Sequence, residues 1–239
     1  MLPLKDINPT RRFPIVTYGL IAANVLVFLW ELTLSDFDLQ RVFLNLSVVP
    51  ALFTQNPLAL DNILDIFRSM FFHGGIAHIG GNMLYLWLFG DNIEDRFGIF
   101  FYLVIYFASG VAAAFAQIII DPFSQIPLVG ASGAIAGVLG AYLVLFPGIR
   151  VRGLIFLGYF ARITELPAWI VLGFWFVIQL LNGFLSLGVQ TGGGVAFFAH
   201  VGGFVVGAVM AWVLMLIFPQ PSRQDRYEAL YERAQRYRY

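Results

Sequence analysis

Six stretches of this sequence are candidates for membrane spans, and this limits the fold more than any other feature. A hydrocarbon layer of ~30 Å takes about 20 helical residues, and every backbone polar group within it must be paired by the chain itself. The runs are Pro14 to Leu34, Ile76 to Phe89, Phe97 to Ile120, Pro127 to Phe146, Pro167 to Leu187 and Val195 to Phe218. The second is short and is interrupted by His78, Gly80, Gly81 and Asn82. Composition agrees, since 59% hydrophobic and 12% charged residues lie far from soluble averages. The expectation is an all-α membrane protein, a six-transmembrane-helix bundle. Residues 1–13 are expected to be a cytosolic N-terminus, 14–218 the six-span domain and 219–239 a cytosolic C-terminal tail. The apolar run after the polar N-terminus is not closed by a small-residue cleavage site, so it reads as a retained first span.

Orientation follows from the basic residues. Of 14 Lys and Arg, only Arg41 and Arg68 fall on one side of the six spans. Lys5, Arg11, Arg12, Arg96, Arg150, Arg152, Arg162, Arg223, Arg226, Arg233, Arg236 and Arg238 fall on the other, which puts both termini in the cytosol. The expected location is the plasma (inner) membrane, multi-pass. The connection from Ser35 to Gly75 is long and mixes acidic residues with Val42-Phe43-Leu44 and Ile66-Phe67, as expected of a folded element lying against the membrane surface.

Polar groups inside spans are costly, by ~2.5 to 3.5 kcal/mol for a charge at a helix centre, so those present are functional candidates. They are His78, His200, Asn82, Ser132, Gln117, Gln179 and Asn182, with Glu31 near the outer end of span one. The set excludes much chemistry. There is no cysteine, no acid/base carboxylate pair within the spans and no H-E-x-x-H metal site, and a net charge of zero argues against a nucleic-acid partner. A transporter or channel is disfavoured, because the interior is nearly free of charge and shows no inverted repeat.

Counting helical rise from the cytosolic ends places Ser132 at ~22 Å, His78 at ~20 Å and His200 at ~28 Å, one layer in the outer half of the membrane. Gly133-x-x-x-Gly137 follows Ser132, and Gly203-x-x-x-Gly207 follows His200. Such small-residue faces let two helices approach closely, with Gly133 expected to admit the sixth helix. A serine hydroxyl becomes a nucleophile when an imidazole takes its proton, and His200 is the better candidate base. Ser132 opens a helix, so its backbone N–H is an unsatisfied donor at the positive end of the dipole, suited to an oxyanion. His78 and Asn82 lie one turn apart on one face and both can donate to such an oxygen, with Gly130 turning the chain into the helix. No aspartate accompanies the pair, which suggests a dyad. The soluble G-x-S-x-G elbow is absent, because position 134 is alanine.

These residues resemble the rhomboid family of intramembrane serine proteases. The matching pieces are Phe72-His73-Gly74-Gly75 with His78 and Asn82, Glu94-Asp95-Arg96-Phe97-Gly98, Gly130-Ala131-Ser132-Gly133, and Ala199-His200-Val201-Gly202-Gly203 with Gly207. The resemblance implies a rhomboid-like bundle whose fourth helix starts inside the bilayer and whose first outer loop is membrane-associated. It implies catalytic Ser132 and His200, oxyanion stabilisation by His78, Asn82 and the Ser132 N–H beside Gly130, and no metal or cofactor. The implied partners are transmembrane protein substrates in the lipid bilayer, cleaved near the outer face after a small residue. The fifth helix is implied in lateral admission of substrate, making Trp169, Phe174, Trp175, Phe176 and Gln179 gate candidates.

Two positions depart from the family pattern. Many members carry Trp-Arg in the first loop where this chain has Leu64-Asp65, followed by Arg68. Some carry an aromatic one turn after the serine, stacked on the histidine, where this chain has Ala136. Another group must then hold the His200 ring. His73 is expected to make a structural hydrogen bond, and Gln117, Gln179 and Asn182 interhelical ones.

Overall fold

The computed structural model describes residues 1–157, 160–187 and 195–219. In chain order the elements are β1 (Leu2–Asp6), α1 (Ile15–Glu31), α2 (Asp36–Leu46), α3 (Pro50–Phe53), α4 (Leu60–Arg68) and α5 (Ile76–Ile120). They continue with α6 (Ser132–Leu145), β2 (Arg150–Leu157), β3 (Phe160–Pro167), α7 (Ala168–Ser186) and α8 (Phe197–Ile217). The chain is mostly helical. By length and composition α5, α7 and α8 can cross a membrane, and α1 and α6 are shorter apolar helices. The expected tail basic residues Arg223, Arg226, Arg233, Arg236 and Arg238 lie outside the described residues.

The 45 residues of α5 cover the expected second and third runs as two arms joined at Gly98, where φ is 77° and ψ 173°. That left-handed φ strains any residue with a Cβ, which accounts for the glycine. Just before this corner, Glu94 caps the start of α1. Its carboxylate accepts from Val16 N at 2.9 Å, Thr17 N at 2.8 Å and Thr17 Oγ1 at 2.9 Å. A carboxylate at a helix N-terminus satisfies orphan donors and complements the dipole. Asp95 holds Arg11 at 3.2 Å and the Arg12 backbone N–H at 3.1 Å. The Glu94-Asp95-Arg96-Phe97-Gly98 run is therefore a structural joint between α1 and the two arms of α5.

Helix α6 lies at the centre. Gly133 through Tyr142 are all buried, as expected of a helix apolar on every side. Its glycines meet two neighbours. Beside Gly133 there is no room for a Cβ because Ala113 of α5 fills the space, while Gly203 and Gly207 of α8 press on the carbonyls of Gly133 and Gly137. The expectation that Gly133 serves the sixth helix is thus half of its role, since its missing side chain makes way for α5. Phe174 and Leu185 on α7 and Leu216 on α8 are exposed on the flanks, where lipid rather than water is their natural solvent.

The connection between α1 and α5 is folded into α2, α3 and α4, with Val48, Val49, Phe53, Ile66, Met70 and Phe72 buried. It reaches the segment that leads into α6. Leu128 N donates to Val48 O at 2.8 Å, and Gly130 N donates to Ser69 O at 2.8 Å. At the position of the missing Trp-Arg, Asp65 is buried and accepts from Arg68 Nη1 at 2.9 Å, a pair made within α4 itself.

A three-stranded antiparallel sheet, order β1-β2-β3, adds to the expected helices. Its strands come from the polar N-terminus and from the connection between α6 and α7, both of which lie outside the expected apolar runs. Arg152 and Glu165 are cross-strand partners and pair at 2.7 Å. Asp6, at the end of β1, accepts from Asn92 Nδ2 and from Tyr142 Oη, each at 2.9 Å, which pins the sheet to α5 and α6.

Candidate active site

The site begins with a turn. Gly130 has φ 127°, Ala131 follows at φ −68° and ψ −8°, and α6 starts at Ser132. On α8, His200, Gly203 and Gly207 share one face at helical spacing. Because the two glycines bring that face onto the backbone of α6, the imidazole three residues earlier is carried to the head of α6. His200 Nε2 lies 2.8 Å from Ser132 Oγ. This is hydrogen-bonding distance for a hydroxyl and the nitrogen that would take its proton.

The other side of the ring is held by α7. His200 Nδ1 lies 2.8 Å from Gln179 Oε1, and the Trp175 ring sits 5.9 Å from the imidazole at an interplanar angle of 35°. An amide oxygen only accepts, so a hydrogen bond to Gln179 Oε1 requires the ring proton on Nδ1 and leaves Nε2 a lone pair toward Ser132. The group that supports His200 in place of an aromatic at Ala136 is therefore a pair of side chains from α7. The sequence displayed both residues, but the rotation of α7 relative to α8 decides which of its faces meets the histidine.

His78 and Asn82 stand on the first arm of α5. A Cβ on Gly130 would lie 2.7 Å from His78 Nε2 and 3.6 Å from Ser132 Oγ, so the imidazole covers the turn before the serine. Asn82 is buried, and its Nδ2 has no hydrogen-bond partner among the described groups. A buried amide donor left unpaired is expensive and calls for an explanation. Here it lies one turn from His78, with a donor free for a ligand oxygen.

Among the described residues, the remaining polar candidates make no side-chain hydrogen bond to Ser132 or His200. The His73 backbone N–H donates to buried Glu31 at 3.1 Å, its ring lies 3.3 Å from Phe71 O, and it meets His78 edge-on at 5.1 Å. Gln117 Oε1 is buried without a partner among the described groups, so the expected interhelical bond is not made through that atom. No side-chain hydrogen bond from Asn182 joins another helix among the described residues. The gate candidates divide: Trp169 and Phe174 are exposed, whereas Trp175 and Phe176 pack on Phe204 of α8 at 6.0 and 4.6 Å. Among the described residues no group of His, Asp or Glu gathers as a metal would require.

Comparison with known proteins gives a consistent picture. The family model described as the Rhomboid domain matches residues 61–217. Rhomboid protein 1, mitochondrial, of Saccharomyces cerevisiae is 27% identical over 220 residues, covering 90% of this chain and 57% of that protein. Rhomboid protease GluP of Bacillus subtilis is 44% identical over 71 residues, 30% of this chain and 13% of that protein. RHOMBOID-like protein 5 of Arabidopsis thaliana is 30% identical over 152 residues, 63% of this chain and 44% of that protein. The chain thus spans little more than half, or less, of the length of these curated relatives. The matched region holds the turn at Gly130, the serine and histidine it brings together, and His78 and Asn82 on α5, and on that match the chain belongs to the rhomboid family.

Proposed function

We propose that this protein is an intramembrane serine endopeptidase with a Ser132–His200 dyad. His200 Nε2 takes the proton of Ser132 Oγ as the oxygen attacks a peptide carbonyl. The carbonyl π electrons move to its oxygen, and that oxyanion accepts from the Ser132 N–H, His78 and Asn82 beside Gly130. The protonated His200 gives its proton to the leaving amine as the C–N bond breaks, and water then resolves the acyl-enzyme by the same route in reverse. The observation that carries this reading is the 2.8 Å approach of His200 Nε2 to Ser132 Oγ at the first residue of a buried helix.

The substrates are transmembrane proteins whose helix unwinds near the outer membrane face, with cleavage after a small residue. The enzyme is embedded in the plasma (inner) membrane through six spans: α1, the two arms of α5, α6, α7 and α8. Both termini lie in the cytosol, and residues 14–218 form the catalytic domain between the N-terminal segment and the tail. No metal or cofactor takes part, so a chelator should leave activity intact; loss restored by zinc would count against the mechanism.

The test is cleavage of a fluorescent transmembrane substrate by purified protein in proteoliposomes. Ser132→Ala and His200→Ala should each lower kcat by at least about 10³-fold. Undiminished cleavage by Ser132→Ala would overturn the mechanism. Failure of the wild type on a panel of substrates would point instead to a protein that binds transmembrane clients without cutting them.

A further inference from the structure

We propose that Gln179 is the positioning residue of the dyad, and that its place on α7 makes the seating of α7 against α8 a condition for His200 to act as base. This rests on the reading of Ser132 and His200 as nucleophile and base. A base at Nε2 needs its proton on Nδ1, and an imidazole with no acceptor at Nδ1 is free to adopt the other tautomer or to rotate. In a triad a carboxylate fixes this. Here α6 presents only Ala136 one turn past the serine, and the acceptor is the buried amide oxygen of Gln179 at 2.8 Å. The amide direction matters: turned by half a revolution it would offer N–H to Nδ1 and force the proton onto Nε2, which could then no longer take one from Ser132.

The support is built along one stripe of α7. Trp175, Gln179 and Gly183 recur every four residues and so share a helix face. Trp175 lies beside His200 and Phe204, Gln179 reaches Nδ1, and Gly183 leaves room for Phe198, with a Cβ there only 3.2 Å from its ring. Phe176 stacks on Phe204 at 4.6 Å next to this stripe. The contacts that seat α7 are thus interleaved with the one that fixes the tautomer. A small displacement of α7 would take away both the acceptor and the ring that covers the imidazole, leaving Ser132 in place without an oriented base.

The experiment compares Gln179→Leu, Gln179→Glu and Trp175→Leu with wild type in proteoliposomes, alongside nitrogen-15 NMR of the histidine rings. Gln179→Leu should lower kcat about 10- to 100-fold with KM nearly unchanged, and should shift the His200 signal away from the Nδ1–H form. Gln179→Glu keeps an acceptor, so it should restore much of kcat. The added carboxylate favours the imidazolium, so the acidic limb of the kcat profile should move to higher pH. Of the groups packed around His200, only His78 on α5 titrates among the described residues, since α6 contributes Ser132 and α7 contributes Gln179 and Trp175. Trp175→Leu should lower kcat and weaken the same Nδ1–H signal.

Wild-type kcat and an unchanged tautomer signal in Gln179→Leu would overturn the positioning role. Equal losses in Gln179→Leu and Gln179→Glu, with no movement of the acidic limb, would reduce Gln179 to packing. Wild-type behaviour of Trp175→Leu on both readouts would overturn the dependence on α7. The NMR readout needs no substrate, and cleavage that survives Ser132→Ala would count against the dyad itself, so the two failures stay distinct. Thermal unfolding of each variant separates loss of fold from loss of orientation.

Discussion

Gly130 and Asn82 show what single positions do for the site. Gly130 holds φ 127°, and a Cβ there would meet His78 Nε2 at 2.7 Å. Gly130→Ala should therefore displace His78 and lower kcat about 10²-fold, measured by initial rates, with thermal unfolding shifted by only a few degrees. Asn82 offers the complementary test, since its buried Nδ2 has no hydrogen-bond partner among the described residues. Asn82→Leu should lower kcat by about 10²–10³-fold while the melting temperature holds or rises, because an unsatisfied donor is removed. A lower melting temperature with activity intact would assign Asn82 to the fold instead. Asn82 was legible in the sequence because polar residues are costly in apolar runs and only a few were present, and Gly130 because it stands just before one of them, Ser132. Gln179 was equally visible, but its partner was not, since a polar residue on a helix of known position still has an unknown rotation.

At the level of elements, the crossing of α6 and α8 decides whether serine and histidine meet. Gly203 and Gly207 press on the carbonyls of Gly133 and Gly137, so a larger residue at either must move backbone rather than a side chain. Gly207→Val should destabilise by about 1–3 kcal/mol or more and abolish cleavage by widening the Ser132–His200 distance. Gly19→Ala on α1, where a Cβ meets nothing within 4 Å, should leave both unchanged. Thermal melts in detergent and the proteoliposome assay check the pair. The small-residue motifs predicted close packing, but not that Ala113 of α5 claims the space beside Gly133, because a spacing motif records closeness and not the neighbour. The joint at Gly98 was likewise hidden. Two apolar runs separated by charged residues read as span, loop, span, whereas the loop is a single left-handed glycine preceded by a glutamate that caps α1.

The whole molecule joins this helical bundle to a sheet that hydropathy did not announce. Its strands are short, and β1 pairs with β2 from about 150 residues away in the chain. Asp6 ties the two parts together, and burial raises its carboxyl to about 6 despite the hydrogen bonds from Tyr142 and Asn92. Because the folded protein holds this proton more tightly than the unfolded chain, the contribution of Asp6 to stability is full below about pH 4 and is lost as pH rises through 6. Asp6→Asn keeps an acceptor for Tyr142, so it should reduce the fall in melting temperature between pH 4.5 and 7.5, with Asp91, which shares the Asn92 amide, carrying the remainder; an unchanged slope would remove Asp6 from this role. The central claim concerns the chemistry that all these scales serve, and it is tested most directly by mapping where a fluorophosphonate attaches. Mass spectrometry should find the adduct on Ser132 in the wild type, with labelling lost in Ser132→Ala and slowed by at least about 10²-fold in His200→Ala. An adduct on another residue, or labelling of Ser132 at the wild-type rate without His200, would contradict the dyad.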